Sequence, residues 1–254
     1  MTATHELRFL VLALPNVPWV EFLASVENIE DLGFDVVGVA DHFVDWTNPP
    51  RPWFEAWTLL AALARETKRI RITTTVSQIP LRPPAMFARQ ALTVDHLSDG
   101  RLELGLGIGL PIDPSYEMMG VPNWTPKERV DRFGEYVEII GRLLSNEVTT
   151  FNGRYYEIEG AVMNPRPVQS PRPPLTIAAM GTRMLKLTAR YADIWNSLSF
   201  SADFEEQLAE TRARVALLDE HCAAIGRDPA SLRRSYMMFD ANARPSGGSI
   251  AYYE

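Results

Sequence analysis

A chain of 254 residues, 46% hydrophobic and 22% charged, is long enough to bury a large core, and its composition excludes a disordered, collagenous or coiled-coil reading. Its formal net charge of −7 argues against a surface built for nucleic acid or an anionic membrane.

Residues 8–14 (RFLVLAL) form an apolar run ended by Pro15 and read as a buried parallel strand. Residues 19–32 carry apolar side chains at helical spacing, and Gly33 stops them. A second buried strand follows at 36–40 (VVGVA), then an amphipathic helix at 53–66. Residues 70–76 (IRITTTV) are rich in β-branched side chains and predict a third strand. Pro83 and Pro84 open a helix that runs to about Ser98 and stops at Asp99-Gly100. A fourth strand spans 101–107. Thr125-Pro126-Lys127-Glu128 reads as a capping box, opening a helix with Val130, Phe133, Val137, Ile140 and Leu144 on one face. In 148–158 (VTTFNGRYYEI), Asn152-Gly153 between two β-prone runs signals a hairpin. A proline-rich connector (165–174) leads to a fifth strand at 175–179, and Gly181-Thr182 opens a helix ending at Tyr191. A sixth strand is expected at 194–196. A helix over 204–225 follows, with Phe204, Leu208, Val215 and Leu218 on its buried stripe, and a seventh strand at 235–239.

Alternating apolar strands and helices mean a parallel sheet covered by helices, either an open doubly wound sheet or a (β/α) barrel. The barrel is favoured by where the unusual residues fall, because a barrel's site lies at the C-terminal ends of its strands. Asp41, His42 and Trp46 follow strand two, and Ser77-Gln78 end strand three. Gly105, Gly107 and Gly109 run out of strand four, and Met180-Gly181-Thr182 follow strand five. Asn196-Ser197 and then Asp240 and Asn242 follow strands six and seven. A dinucleotide fingerprint is not met, since Leu110 stands where its third glycine belongs and Pro111 follows. The three glycines instead suit close approach of a flat ligand, and the helix start at Gly181-Thr182 suits a phosphate. A planar phosphorylated cofactor satisfies both. No Walker loop, nucleophile elbow or Cys/His metal cluster is present, so no metal is expected. Asp95 and His96, late in their helix, read as helix-terminal structure.

The lone Cys222 cannot make an internal disulfide and reads as a buried thiol. With no basic-then-apolar leader and no apolar run near the ~20 residues a bilayer span needs, the expectation is a cytoplasmic chain without a membrane partner.

With these residues in view, the chain resembles the bacterial luciferase-like family of flavin- and F420-dependent oxidoreductases. The matching stretches are 33–43, RPPAMFARQALTVDHLSDGRLELGLGIG (82–109), FNGRYYEI (151–158) and PPLTIAAMGTRMLKLTARYADIWN (173–196). The resemblance implies a (β/α)8 TIM barrel as one domain over 1–254, with an insertion before strand five at 110–174 containing a helix and a hairpin. Only seven strands are found, so strand eight is expected to be missing and the barrel to be C-terminally incomplete. It further implies coenzyme F420, with FMN as the alternative. The cofactor-binding residues would be Thr75, Val76 and Ser77 behind the ring, where the deazaflavin enzymes have a non-proline cis peptide. Gly107, Ile108 and Gly109 would follow, with Ala178, Ala179, Met180, Gly181 and Thr182 on the phosphate side.

His42 would be the acid–base residue beside the ring, with Asp41 orienting or charge-balancing it. Trp46, Trp53 and Asp113 would line the substrate pocket. Two departures from the family pattern stand out. Luciferase-type FMN enzymes carry arginine where Ile108 stands, and the sugar-phosphate dehydrogenases carry a catalytic glutamate where Leu110 stands. The implied function is hydride transfer between F420 and a small organic substrate. The alternatives are an FMN-dependent monooxygenase fed by a separate flavin or F420 reductase, and a non-catalytic flavin- or deazaflavin-binding protein. A homodimer is expected.

Overall fold

A computed structural model describes residues 6–238. They form two compact units, residues 6–175 and the residues from 176 onward. Phe239, Asp240 and Asn242, which the sequence places in or after strand seven, lie outside the described residues.

The first unit alternates strands and helices: β1 (Leu10–Ala13), α1 (Trp19–Asp31), β2 (Val36–Val39), α2 (Ala56–Glu66), β3 (Arg71–Thr74), β4 (Ser77–Gln78), α3 (Pro84–Leu97) and β5 (Leu102–Gly107). The strands are parallel in the order β1-β2-β3-β5, with β4 also paired to β5. Every residue of β2 and of β5 is buried, as expected of parallel strands covered on both faces. Helix α1 buries Phe22 and Val26, and Gly33 leaves it at φ +92.

The predicted boundaries shift where side chains intervene. Helix α2 begins at Ala56 rather than 53, because the Glu55 carboxylate caps it by accepting from the Trp57 and Thr58 N–H groups. Trp53 is thereby left in the preceding loop. The predicted third strand breaks after Thr74: the Thr75–Val76 peptide is cis, and the chain resumes as β4 against Leu106 and Gly107. Asp99 and Gly100 both take positive φ at the end of α3. His96 Nε2 lies 2.7 Å from the Arg166 carbonyl oxygen, and Asp95 accepts from the backbone N–H of Val168 and Gln169. Both residues thus fasten the connector after the hairpin to α3.

Beyond β5 come α4 (Ser115–Met118), α5 (Pro126–Ser145), β6 (Val148–Asn152) and β7 (Glu157–Val162). The Thr125 hydroxyl caps α5, but the box is half formed, since Glu128 turns to Arg132 instead of reaching back. The expected hairpin forms, with a four-residue turn. It runs over 153–156 because the Glu135 carboxylate accepts from the N–H groups of Arg154, Tyr155 and Tyr156. A Cβ at Gly153 would strike that carboxylate, so Gly153 serves this close approach rather than a tight turn.

The second unit holds β8 (Leu175–Ala178, Leu175 being the last residue of the first unit), α6 (Thr182–Tyr191), β9 (Ile194–Ser197), α7 (Phe204–Ala224) and β10 (Arg233–Tyr236). These three strands are parallel in that order. Strand β10 starts two residues before the predicted 235, its first two positions being exposed arginines of which Arg234 pairs with Asp219. The stripe expected on α7 is corrected. Of its four apolar residues only Leu218 is buried, while Gln207 and Cys222 complete the covered face. No helix among the described residues is long and apolar enough to cross a membrane.

Candidate active site

Strand β2 delivers Asp41 and His42 directly from its C-terminal end. The two side chains take separate partners. Asp41, 2% exposed, forms a two-pronged pair with Arg82, with the Arg82 Nη2–Asp41 Oδ1 arm at 2.9 Å. Arg82 also reaches Glu55, the cap of α2, at 3.1 Å. The expectation that Asp41 orients His42 is therefore corrected, because the Asp41 carboxylate is committed to the guanidinium. The carboxylate on the imidazole is Asp113, with Oδ2 2.6 Å from Nδ1.

The His42 side chain is 21% exposed and that of Asp113 is fully buried. Trp46 stacks on the imidazole at 5.2 Å between ring centroids, and Trp53 meets it edge-on at 5.9 Å. Trp53 Nε1 donates to the His42 carbonyl at 2.9 Å. The structure thus brings His42, Trp46, Trp53 and Asp113 together. Asp113 is itself fixed from the loop after β5: its carboxylate accepts from the Ser115 N–H, and the Ser115 hydroxyl accepts from the Phe43 N–H. Burial works against ionisation of Asp113. The hydrogen bonds from His42, Ser115 and Gln78 outweigh it and hold the carboxyl well below the usual carboxylate range.

That shift has a sign that can be tested. A depressed folded-state pKa adds stability above the unfolded value, about 3.9 for aspartate, and this stability is lost as pH falls toward the folded value. Asp113→Asn is expected to lower the urea midpoint clearly at pH 7 and by a measurably smaller amount at pH 3, where the folded carboxylate is still ionised but the unfolded one is mostly protonated. Equal losses at the two pH values would show that the charge is not what matters.

Gln78 is the residue the sequence reading undervalued. Its Nε2 donates to the Asp41 carbonyl and to Asp113 Oδ2, both at 2.8 Å, and lies 3.0 Å from His42 Nδ1. A primary amide has two hydrogens, and those two acceptors use them. None remains for His42, so Nδ1 must carry its own proton and donate it to Asp113. Nε2 is then the imidazole's basic nitrogen.

The other predicted cofactor residues sit as follows. Thr75 and Val76 form the cis link, and the buried Ser77 begins β4 and accepts from Trp57 Nε1 at 2.9 Å. Gly107 ends β5, and the Ile108 carbonyl accepts from Arg129 at 2.7 Å. The glycine reading is corrected at two positions. A Cβ at Gly105 would overlap the Thr74 carbonyl of β3, and one at Gly109 would overlap Tyr116, Gln78 and Arg129. The close approach there is by the protein's own atoms rather than by a ligand. In the second unit, Ala178 ends β8, and Ala179, Met180 and Gly181 lead to α6, whose first residue is Thr182. Gly181 is the N-cap, no side chain caps the helix, and a Cβ on Gly181 would meet nothing within 4 Å.

Residues 7–242 match the family model described as luciferase-like monooxygenase. Among curated relatives, the chain is 29% identical over 211 residues to a pyrimidine monooxygenase RutA of Allorhizobium ampelinum, covering 81% of this chain and 56% of that protein. It is 35% identical over 168 residues to an F420-dependent glucose-6-phosphate dehydrogenase of Amycolatopsis mediterranei, covering 65% of this chain and 49% of that one. The chain thus spans about half the length of these relatives. Among solved structures, an F420-dependent secondary alcohol dehydrogenase in complex with an F420-acetone adduct superposes with a TM-score of 0.79 at 23% identity, over 90% of this chain and 68% of the other. That likeness establishes the fold class, an α/β fold of the luciferase-like TIM-barrel type.

Proposed function

The chain belongs to the luciferase-like monooxygenase family, and from that premise we propose that it is an F420-dependent oxidoreductase acting on a small organic substrate. The observation that carries this reading is the His42 imidazole, protonated at Nδ1 by its bond to Asp113 and stacked on Trp46. Such a ring is held in one tautomer and one orientation, with Nε2 available to give or take a proton. His42 acts as the acid–base residue. Asp113 keeps its ring oriented and balances the charge when Nε2 is protonated. Trp46 and Trp53 shield the imidazole from water.

Each unit, taken by itself, carries residues whose chemistry suits a part of a phosphorylated deazaflavin. The open N-terminus of α6 at Gly181 and Thr182 offers uncapped N–H groups, a donor set suited to phosphate. Thr75, Val76, Ser77, Gly107 and Ile108 are the residues that would hold the ring. When bound, the deazaflavin supplies the two-electron chemistry, and the protein supplies binding, orientation and proton transfer. Ile108, where luciferase-type enzymes carry arginine, supports F420 over FMN.

The pyrimidine monooxygenase relative, matched over 81% of this chain, favours a second reading, an FMN-dependent monooxygenase. One titration separates the two. The purified protein is expected to bind F420 at micromolar concentration or tighter and to leave FMN free, as read by fluorescence quenching. Tight FMN binding without F420 binding would reverse the assignment. Binding of F420 with no turnover across a panel of small alcohols, aldehydes and enones would instead favour a non-catalytic binding protein.

A further inference from the structure

We infer that Asp45 is a positioning residue that sets the Trp46 indole on the His42 imidazole. This deepens the acid–base role given to His42 and rests on that reading only for its kinetic consequence.

The two tryptophans at His42 are held in different ways. Trp53 has an anchor of its own, the bond from Nε1 to the His42 carbonyl. Trp46 meets the ring by stacking, with 21° between the planes, and its side chain makes no hydrogen bond among the described residues. One aromatic pair is weaker than the entropy of ordering the residues around it. The direction in which the indole leaves the chain must therefore be set by the backbone on either side of it.

Asp45 supplies that constraint. Residues 47–52 are exposed, yet Asp45 is 4% exposed. Its Oδ1 accepts from the Thr47 N–H at 3.0 Å, the Thr47 hydroxyl at 2.6 Å and the Asn48 N–H at 3.2 Å. Its carbonyl also accepts from the Asn48 N–H, at 3.1 Å. One carboxylate oxygen thus takes three bonds, all from the two residues that follow Trp46. The indole leaves from inside a closed turn that its preceding residue ties to its following ones. The Asn48 carbonyl in turn accepts from the Arg51 N–H at 2.9 Å, on the way back to Trp53. The Thr47 hydroxyl, with the N–H groups of Thr47 and Asn48 and the Asn16 side chain, outweighs burial and holds the Asp45 carboxyl below the usual carboxylate range. Arg51 stands 3.8 Å from Oδ2 with a side chain 55% exposed, so that ion pair adds little. The acceptor oxygen does the holding, and the charge is secondary.

The test is the imidazole C–H spectrum of His42 in the cofactor-free protein at a fixed pH, with His42→Gln assigning the signals. The ring current of Trp46 displaces those protons, and Trp46→Leu gives their position without it. Asp45→Ala is expected to move the signals at least half-way from the wild-type position to the Trp46→Leu position. Asp45→Asn keeps the acceptor oxygen and is expected to stay nearer the wild type. A carboxylate that merely stabilised the fold would lower the melting temperature and leave the signals of the folded protein in place. Unmoved signals in Asp45→Ala would therefore overturn the proposal, as would Asp45→Asn signals displaced as far as those of Asp45→Ala. Thr47→Ala, at an exposed position, removes the shortest of the three bonds and is expected to displace the signals in the same direction. If Asp45→Ala does not fold, unmoved signals in Thr47→Ala overturn the proposal instead. With F420 and a turned-over substrate, Asp45→Ala should lower kcat by about tenfold with little change in KM, and Asp45→Asn should keep most of the wild-type rate, since a small misplacement beside the reacting atoms costs at least that much. An unchanged kcat beside displaced signals would overturn the link to the reaction. Failure of F420 to bind counts against the proposed function alone and leaves the His42 spectrum standing.

Discussion

Replacing His42 by alanine is expected to lower kcat by about 10²–10⁴-fold, the range a positioned acid–base group contributes, while the chain stays folded. The ring is partly exposed, and its chief polar bond is the one to Asp113. Its removal still leaves Asp113 the Gln78 and Ser115 donors. The loss therefore falls on turnover rather than on the core. Steady-state kinetics with F420, beside a circular-dichroism melt, separates the two effects. A loss of less than tenfold in kcat with an unchanged melt would remove His42 from the chemistry. Glutamine at 42 is the companion variant, since it can still donate to Asp113 but cannot cycle a proton.

The second large effect is on stability. Arg82→Leu is expected to cost about 3–5 kcal/mol, because it leaves the Asp41 carboxylate buried without its counter-charge. Asp41 is 2% exposed and the Arg82 side chain 10%, so solvent screens this pair little. The double variant Asp41→Asn with Arg82→Leu removes both charges and is expected to cost less than the single one, a positive coupling between the two sites. Urea unfolding of the wild type, both single variants and the double variant closes the cycle. A cost under 1 kcal/mol for Arg82→Leu would show that water reaches Asp41 in the folded protein. The same pair holds Asp41 just before His42 and Glu55 at the head of α2, so its loss should also loosen the loop carrying Trp46 and Trp53.

The fold was legible wherever the signal was local. Gly33 and Asp99-Gly100 mark helix ends by backbone conformation, and Thr125 marks a helix start by its hydroxyl. The apolar run at 36–40 and the strand expected at 101–107 both form fully covered strands. Boundaries slipped where a distant or acidic side chain took the capping role, as Glu55 does for α2 and Glu135 does for the hairpin turn. At the candidate site, His42, Trp46 and Trp53 were readable because they follow the end of one strand within fourteen residues. The partner of His42 was not, because Asp113 lies 71 residues away, and Asp41, the adjacent acid, was the natural choice until Arg82 claimed it. Gln78, Tyr116 and Arg129 come from a strand, a short helix and a long helix. Nothing in their spacing says that they meet. The one available signal was Gly109, a glycine beyond the end of a strand with no helix to open.

The loop after β5 divides its work residue by residue. Asp113, Ser115 and Tyr116 point inward and are fully engaged, while Ile112 is 78% exposed and Met118 50% exposed. A change at Ile112 or Met118 alters the outer surface without touching a bond that holds the imidazole. Natural variation or laboratory selection can therefore retune what this rim meets while inheriting the acid–base machinery intact. New specificity on this scaffold should accumulate at the outward positions of a loop whose inward positions are frozen.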